Sequence, residues 1–156
     1  MNTEFIKKFL DACQEAKKVT ELMPELPKGI KPRHIHVIDT LYILSQKKEY
    51  VKVSDISAAL KVTKPSITKL INELENENVL IKNSKDSDNR IITLTLTSLG
   101  EKYYDIYVYK YHKWLSDLFI DIDEKDILIS VETISRAYDI MKSHEMKVIE
   151  QKSEIL

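Results

Sequence analysis

Between Lys61 and Lys69 the chain reads Lys-Val-Thr-Lys-Pro-Ser-Ile-Thr-Lys, with three bases and no acid. Ammonium groups and short hydroxyls in this density donate hydrogen bonds to phosphates and base edges. The spacing predicts a helix with two faces. Ile67, Leu70, Ile71 and Leu74 fall at i, i+3, i+4 and i+7 and form a buried stripe, which leaves Lys64, Pro65, Ser66, Thr68 and Lys69 on the opposite side. Thr63 is the expected N-cap and Pro65 falls in the first turn, where a missing N–H costs little. Acids begin only at Glu73. A short helix opened by Ser54 as N-cap, with Asp55 beside its positive end, precedes this one. The two N-termini at Ser54 and Thr63 carry free N–H groups that favour an anion. Short helix, tight turn and second helix make a helix-turn-helix, whose second helix meets base edges in the major groove through its N-terminal part. The plainer alternative is a solvated helix face.

The flanking residues supply the elements that must hold this face. Residues 3–23 read as a helix with Phe5, Phe9, Ala12, Cys13, Ala16, Val19 and Met23 on one stripe. A breaker-rich connection, Met23 to Gly29, leads to a second helix from Pro32 to about Ser45. Val51 to Val53 is a strand candidate. Asn78 is the expected left-handed residue after the recognition helix. A hairpin follows, with a strand at about Leu80 to Asn83, a tip from Ser84 to Asn89, and a strand alternating Ile92, Leu94 and Leu96 with Thr93, Thr95 and Thr97. Ser98 to Glu101 reads as a capping box for a long helix ending near Ile120. Asp123 caps a last helix with the stripe Ile127, Val131, Ile134, Tyr138 and Met141. The fold class expected is mostly α with a small β-hairpin wing, a winged helix-turn-helix with long flanking dimerisation helices.

At the wing tip, Lys85, Asp88 and Arg90 are candidate DNA contacts. Arg90 suits the negative potential of a minor groove, and Asp88 could orient the guanidinium. A solvated Asp88–Arg90 pair is the plainer reading. The formal net charge of −1 hides an asymmetry: residues 28–69 hold nine bases and three acids, residues 121–156 nine acids and five bases. Such a dipolar chain turns one end toward phosphate.

Other classes find little support. Only Gly29 and Gly100 are glycines, so no phosphate-cradling loop is present, and no nucleophile elbow or metal motif occurs. The expectation is no enzyme, no catalytic residue, no cofactor and no metal. No apolar run approaches the roughly 18 residues of a membrane helix, and the N-terminus lacks a signal-peptide core. Cys13 is the sole cysteine, which excludes an internal disulfide and suits a cytoplasmic protein.

The order of elements and the motifs resemble the MarR family (multiple-antibiotic-resistance regulators) over nearly the whole chain. The carrying residues are the Ser54–Leu60 helix, the Thr63–Leu74 helix with Ser66-Ile67-Thr68-Lys69, the wing Asp88-Asn89-Arg90, and Leu96-Thr97-Ser98-Leu99-Gly100. Two departures are visible: Asn78 stands where a glycine is expected, and Asn89 where a basic residue is frequent. The resemblance implies a ligand-responsive homodimeric regulator, usually a repressor, on a pseudo-palindromic double-stranded DNA operator. The chain then divides as one MarR-like domain, 1–156, with a DNA-binding lobe at 32–97 and dimerisation helices at 1–23 and 98–150. A zinc- or redox-sensing regulator of the same fold and a winged-helix protein-interaction module are the alternatives.

Five of eight tyrosines lie in 103–111, close to Trp114. His36, Tyr42, Tyr103, Tyr107 and Trp114 are candidates for a small-molecule effector pocket, with dimer core as the competing reading. The resemblance implies small aromatic or amphipathic acids as ligands. Cys13 reads as a buried thiol rather than a redox switch. His34, His36, His112 and His144 are scattered, and His36 with His112 is the pair that could converge.

Overall fold

The computed structural model describes residues 2–85 and 91–150. Seven α-helices and one hairpin follow in order: α1 (Thr3–Glu21), α2 (Pro32–Ser45), α3 (Val53–Leu60), α4 (Lys64–Asn76), β1 (Leu80–Lys85), β2 (Ile91–Leu96), α5 (Ser98–Tyr104), α6 (Tyr111–Leu118) and α7 (Glu124–Glu150). The chain divides into two compact units, residues 16–115 and residues 1–15 with 116–156. This is the mostly helical winged architecture that the sequence predicts.

In the larger unit α2 is the hub. Its Val37, Ile38 and Leu41 are fully buried, against Ile56 of α3, Ile67, Ile71 and Leu74 of α4, and Val79, Leu80, Leu94 and Val108. Each fully buried aliphatic side chain stabilises the fold by roughly 1.5–3 kcal/mol relative to exposure. The core therefore fixes α3 and α4 against one helix. β1 and β2 pair antiparallel, Leu80 opposite Leu96 and Lys85 opposite Ile91. The strand expected at Val51 to Val53 shrinks to a single bridge between Val51 and Leu94, because α3 already starts at Val53. The expected alternation along β2 holds at Leu94, which is buried. It fails at Ile92, which is 45% exposed near the tip, while Thr93 is buried and donates its hydroxyl to the Asn83 carbonyl at 3.3 Å.

Three boundaries move from their expected places. Lys52, not Ser54, is the N-cap of α3: its N–H donates to Asp55 Oδ2 at 2.9 Å, so a carboxylate three residues on closes the helix start. Thr97, not Ser98, caps α5, its Oγ1 accepting the Gly100 N–H at 3.2 Å. The long helix expected from Ser98 onward is interrupted between α5 and α6 by a π segment, Asp105–Lys110. There Lys110 Nζ pairs with Asp105 Oδ2 at 2.6 Å, a spacing of five residues that a wider turn brings together. Asn78 is left-handed as expected, with φ 57°, and Lys61 between α3 and α4 adopts φ 53° as well. Asp123 opens α7, accepting the Lys125 N–H at 2.8 Å.

The smaller unit holds the N-terminal part of α1 and all of α7. Phe9, Ala12 and Cys13 line a shallow groove with Ile129, Thr133 and Ile134, and Cys13 is half-buried rather than buried. Apolar side chains stay widely exposed on both helices, among them Phe5, Leu128, Val131 and Met141.

Gly100 faces the Val79 carbonyl so closely that an added Cβ would lie 2.2 Å from that oxygen. Backbone cannot retreat as a side chain can. Gly100→Ala is expected to lower unfolding stability by about 2 kcal/mol, read from the urea midpoint of the circular-dichroism transition.

Candidate nucleic-acid interface

The α4 helix separates its two chemistries as the sequence predicts. Ile67, Ile71 and Leu74 are buried and Leu70 is half-buried, whereas Thr63, Lys64, Pro65, Ser66, Thr68 and Lys69 are all exposed. Thr63 is the N-cap with extended backbone, φ −64° and ψ 146°, but its side chain makes no cap bond. Thr68 Oγ1 donates to the Lys64 carbonyl at 2.8 Å, so that hydroxyl has only acceptor capacity left for a partner. Ser54 is exposed in the first turn of α3. The turn before α4 is locked by Ser57, whose Oγ donates to the Val62 carbonyl at 2.6 Å while the Val62 N–H donates to the Ser57 carbonyl at 3.1 Å. Nothing in the sequence pattern singles out Ser57.

Two polar anchors fix α4 sideways. The first is His34, fully buried on α2. The Lys31 N–H donates to His34 Nδ1 at 3.1 Å, so the ring proton sits on Nε2 and is donated to Glu73 Oε2 at 2.8 Å. Lys31 Nζ lies 3.8 Å from the same oxygen. The hydrogen bond from His34, aided by the charges of Lys31 and Lys69, holds the Glu73 carboxyl below its ordinary value against a smaller opposing effect of burial. The second anchor joins α4 to the wing root: Lys82 Nζ of β1 donates to Asn72 Oδ1 at 2.6 Å and pairs with Glu75. Glu73 and Glu75 are thus engaged within the fold rather than set against an approaching anion.

At the start of α3, Lys48 Nζ donates to Asp55 Oδ1 at 2.8 Å. That bond and the Lys52 N–H hold the Asp55 carboxyl below its ordinary range. A cleft of about 490 Å³ beside α4 is lined by Lys17, Lys31, Arg33 and Lys69 together with the acids Glu21 and Glu73, so bases outnumber acids where α4 meets the beginning of α2.

Of the wing-tip candidates, Asp88 and Arg90 lie outside the described residues, as does the side chain of Lys85. The five effector-pocket candidates fall at separate places. His36 lines the basic cleft, Tyr42 stacks on Tyr104 with ring centroids 3.6 Å apart, and Tyr103 and Tyr107 meet edge to face at 5.8 Å against the core. Trp114 is 56% exposed and stacks on Tyr111. Among the described residues no three His, Cys, Asp or Glu side chains converge as a metal site.

The family description "Iron dependent repressor, N-terminal DNA binding domain" matches residues 33–86, the segment from α2 to the wing. The HTH-type transcriptional regulator MntR of Bacillus subtilis (strain 168) is 35% identical over 99 residues, which are 62% of this chain and 65% of that protein. The chain therefore spans just under two thirds of the length of these curated relatives. Among solved structures, Streptococcus pneumoniae FabT in complex with DNA superposes with TM-score 0.64 at 22% identity, over 91% of this chain and 99% of that one. The transcription regulator MarR of Oenococcus oeni PSU-1 superposes with TM-score 0.63 at 16% identity, over 86% and 98%. The fold is the winged helix-turn-helix. At the level of the fold, the resemblance drawn from the motifs holds over nearly the whole chain.

Two outcomes follow for stability. His34→Ala empties a fully buried position and removes the acceptor of the Lys31 N–H and the donor to Glu73, and is expected to cost about 2 kcal/mol in urea unfolding. Asp55 has a folded-state value below its ordinary 3.8, so its contribution is complete above that value and is lost as pH falls through the lower one. Asp55→Asn is expected to flatten the acid limb of the stability–pH curve, measured by thermal melts at stepped pH.

Proposed function

We propose that this protein is a sequence-specific DNA-binding transcription regulator, a homodimeric, ligand-responsive repressor working in the cytoplasm on a pseudo-palindromic operator in double-stranded DNA. One observation carries the reading. The exposed half of α4 presents Lys64, Pro65, Ser66, Thr68 and Lys69 without an intervening acid, while its other half is locked into the core. Side chains on a rigid helix can read base edges, because their geometry survives the approach of the duplex. The similarity of residues 33–86 to a DNA-binding domain and the DNA complex of FabT support it. The roles are divided by chemistry: Ser66, Thr68 and Lys69 toward bases, and Ser54, Thr63, Lys64 and the wing residues Lys85 and Arg90 toward phosphates and the minor groove, with Pro65 setting the first turn and Asp88 orienting Arg90.

The dimer reading rests on α1 and α7. Neither has a buried residue among those described, yet both carry apolar stripes, with Phe5 64%, Leu128 67%, Val131 57% and Met141 62% exposed. Apolar surface of this extent on two helices finds burial against the same surface of a second copy about a two-fold axis. Two α4 helices are then available for two half-sites spaced by about one turn of DNA, roughly 34 Å, or a multiple of it. No described helix is long and apolar enough to cross a membrane.

Selection from a random DNA pool followed by footprinting tests the reading. A dyad-symmetric site is expected, and failure to enrich any sequence would remove it. Lys69→Ala should weaken binding to that site and relax its base preference, Lys64→Ala and Arg90→Ala should each weaken binding and reduce the slope of log affinity against log salt by about one, and Lys125→Ala on α7 should change none of these. Val131→Asp should convert the dimer to monomer in sedimentation equilibrium and with it lower operator affinity; an unchanged dimer would place the interface elsewhere.

A further inference from the structure

A groove follows the π segment on the side that faces α2. Asp39, Ile43, Tyr104, Val108, Tyr109 and His112 line one hollow of about 520 Å³, with Lys113 at the same wall. Tyr42, Gln46, Glu101, Tyr104, Asp105 and Tyr109 line its neighbour, of about 610 Å³. Tyr104 and Tyr109 are common to both. Both hollows are open to solvent, with room for a small organic ligand to lie against the wall rather than to be enclosed.

Asp39 is the residue that the fold leaves unexplained. It is half-buried, and among the described residues its carboxylate has no hydrogen bond or ion pair, from Lys113 or any other group. Burial pushes its carboxyl up, while His112 and His36 pull it down by less. Its oxygens still reach solvent, and only the imidazoles of His112 and His36 act on it electrostatically, so a cation seated in the hollow would find a partly desolvated carboxylate available as counter-ion. Around it stand electron-rich rings. Tyr104, stacked on Tyr42, has its hydroxyl pushed up by burial, then by Asp39, Tyr42 and Tyr109, which places these groups close together. Tyr109 is 58% exposed and offers a free face. Glu101 adds a second carboxylate to the neighbouring hollow, where Asp105 is already paired with Lys110. Aromatic faces beside a carboxylate attract organic cations. A small acid would meet Asp39 and Glu101, which is the reverse of the ligand charge that the sequence resemblance implies.

We propose that this groove binds an aromatic organic cation, a quaternary or protonated amine, with Asp39 as its counter-ion and Tyr104 and Tyr109 as its aromatic walls. Binding stands on these residues alone; its role as an effector rests on the regulator reading. The link is α2, which carries Asp39 in the groove and, five residues earlier, His34, the clamp on Glu73 of α4. A cation that favours one placement of α2 over another changes DNA affinity by the same coupling with which DNA changes its own.

The test is calorimetric titration of the full chain with benzyltrimethylammonium, with its uncharged carbon analogue neopentylbenzene, and with benzoate. The cation is expected to bind at least about tenfold more tightly than the other two, and Asp39→Asn and Tyr104→Leu should each weaken it by about tenfold in proteins whose circular dichroism and melting are those of the wild type. Glu101→Gln, which leaves Asp39 in place, should weaken it less and serves if Asp39→Asn does not fold. Equal affinity for the carbon analogue, or cation binding untouched by Asp39→Asn, overturns the site. Zinc binding that depends on His36 and His112, in a protein indifferent to the cation, also overturns it. A parallel titration with the selected operator reads the second half: a shift in DNA affinity on adding the cation supports the effector role, and an unchanged affinity with the cation bound overturns that role. A protein that binds the cation and selects no DNA sequence would sink the regulator reading and leave the site standing.

Discussion

The hydroxyl of Thr97 joins three elements. It donates to the Asn78 carbonyl at 2.7 Å and accepts the Gly100 N–H at 3.2 Å, while the Thr97 N–H donates to the Val79 carbonyl at 3.0 Å. Asn78 and Val79 follow α4, Thr97 ends the wing, and Gly100 lies in the first turn of the long helix. The absence of a side chain at Gly100 lets that turn settle on the Val79 carbonyl. Where α4 stops, where the hairpin is rooted and where the long helix begins are therefore one geometric decision. Left-handed Asn78 belongs to the same junction, since that conformation turns the chain from α4 into β1 across the three residues Glu77, Asn78 and Val79.

From this junction the polar face of α4 gains its rigidity in two ways. Apolar packing under Ile67, Ile71 and Leu74 resists withdrawal from the core, but it does not resist sliding along the helix axis, because dispersion is non-directional. Directional bonds supply that second restraint, His34 to Glu73 from α2 and Lys82 to Asn72 and Glu75 from the wing. Acidic residues that would repel a polyanion are thereby spent on internal geometry. The sequence alone shows only that acids begin at Glu73.

Local pattern made much of this legible. The i, i+3, i+4, i+7 stripe placed both faces of α4, and a lone Asn between a helix and a strand was enough to mark the left-handed turn. Capping was legible only to within one or two residues: α5 starts from Thr97 rather than Ser98, and α3 from Lys52, two residues before Ser54, because the Asp55 carboxylate reaches back to the Lys52 N–H. The alternation along β2 misled near the tip, where the sheet outruns the core and Ile92 stays 45% exposed. Long-range pairs left no local trace. His34 and Glu73 lie 39 residues apart, and Asp39 became conspicuous only once the fold gave it no hydrogen bond among the described residues. The effector candidates chosen by aromatic clustering scattered for the same reason: neighbours in sequence on a helix point in different directions, and Tyr104 and Tyr109 rather than Tyr103 and Tyr107 face the groove.

The π segment has a consequence for the phase of the long helix. An extra residue in one turn rotates everything after it by about 100° relative to an uninterrupted α-helix. Tyr103, Tyr104, Tyr107 and Val108 keep to the core of their own unit, whereas Trp114 beyond the segment is 56% exposed. Asp105–Lys110 acts as a phase shifter: the side chains that follow it fall on a different stripe from those that precede it.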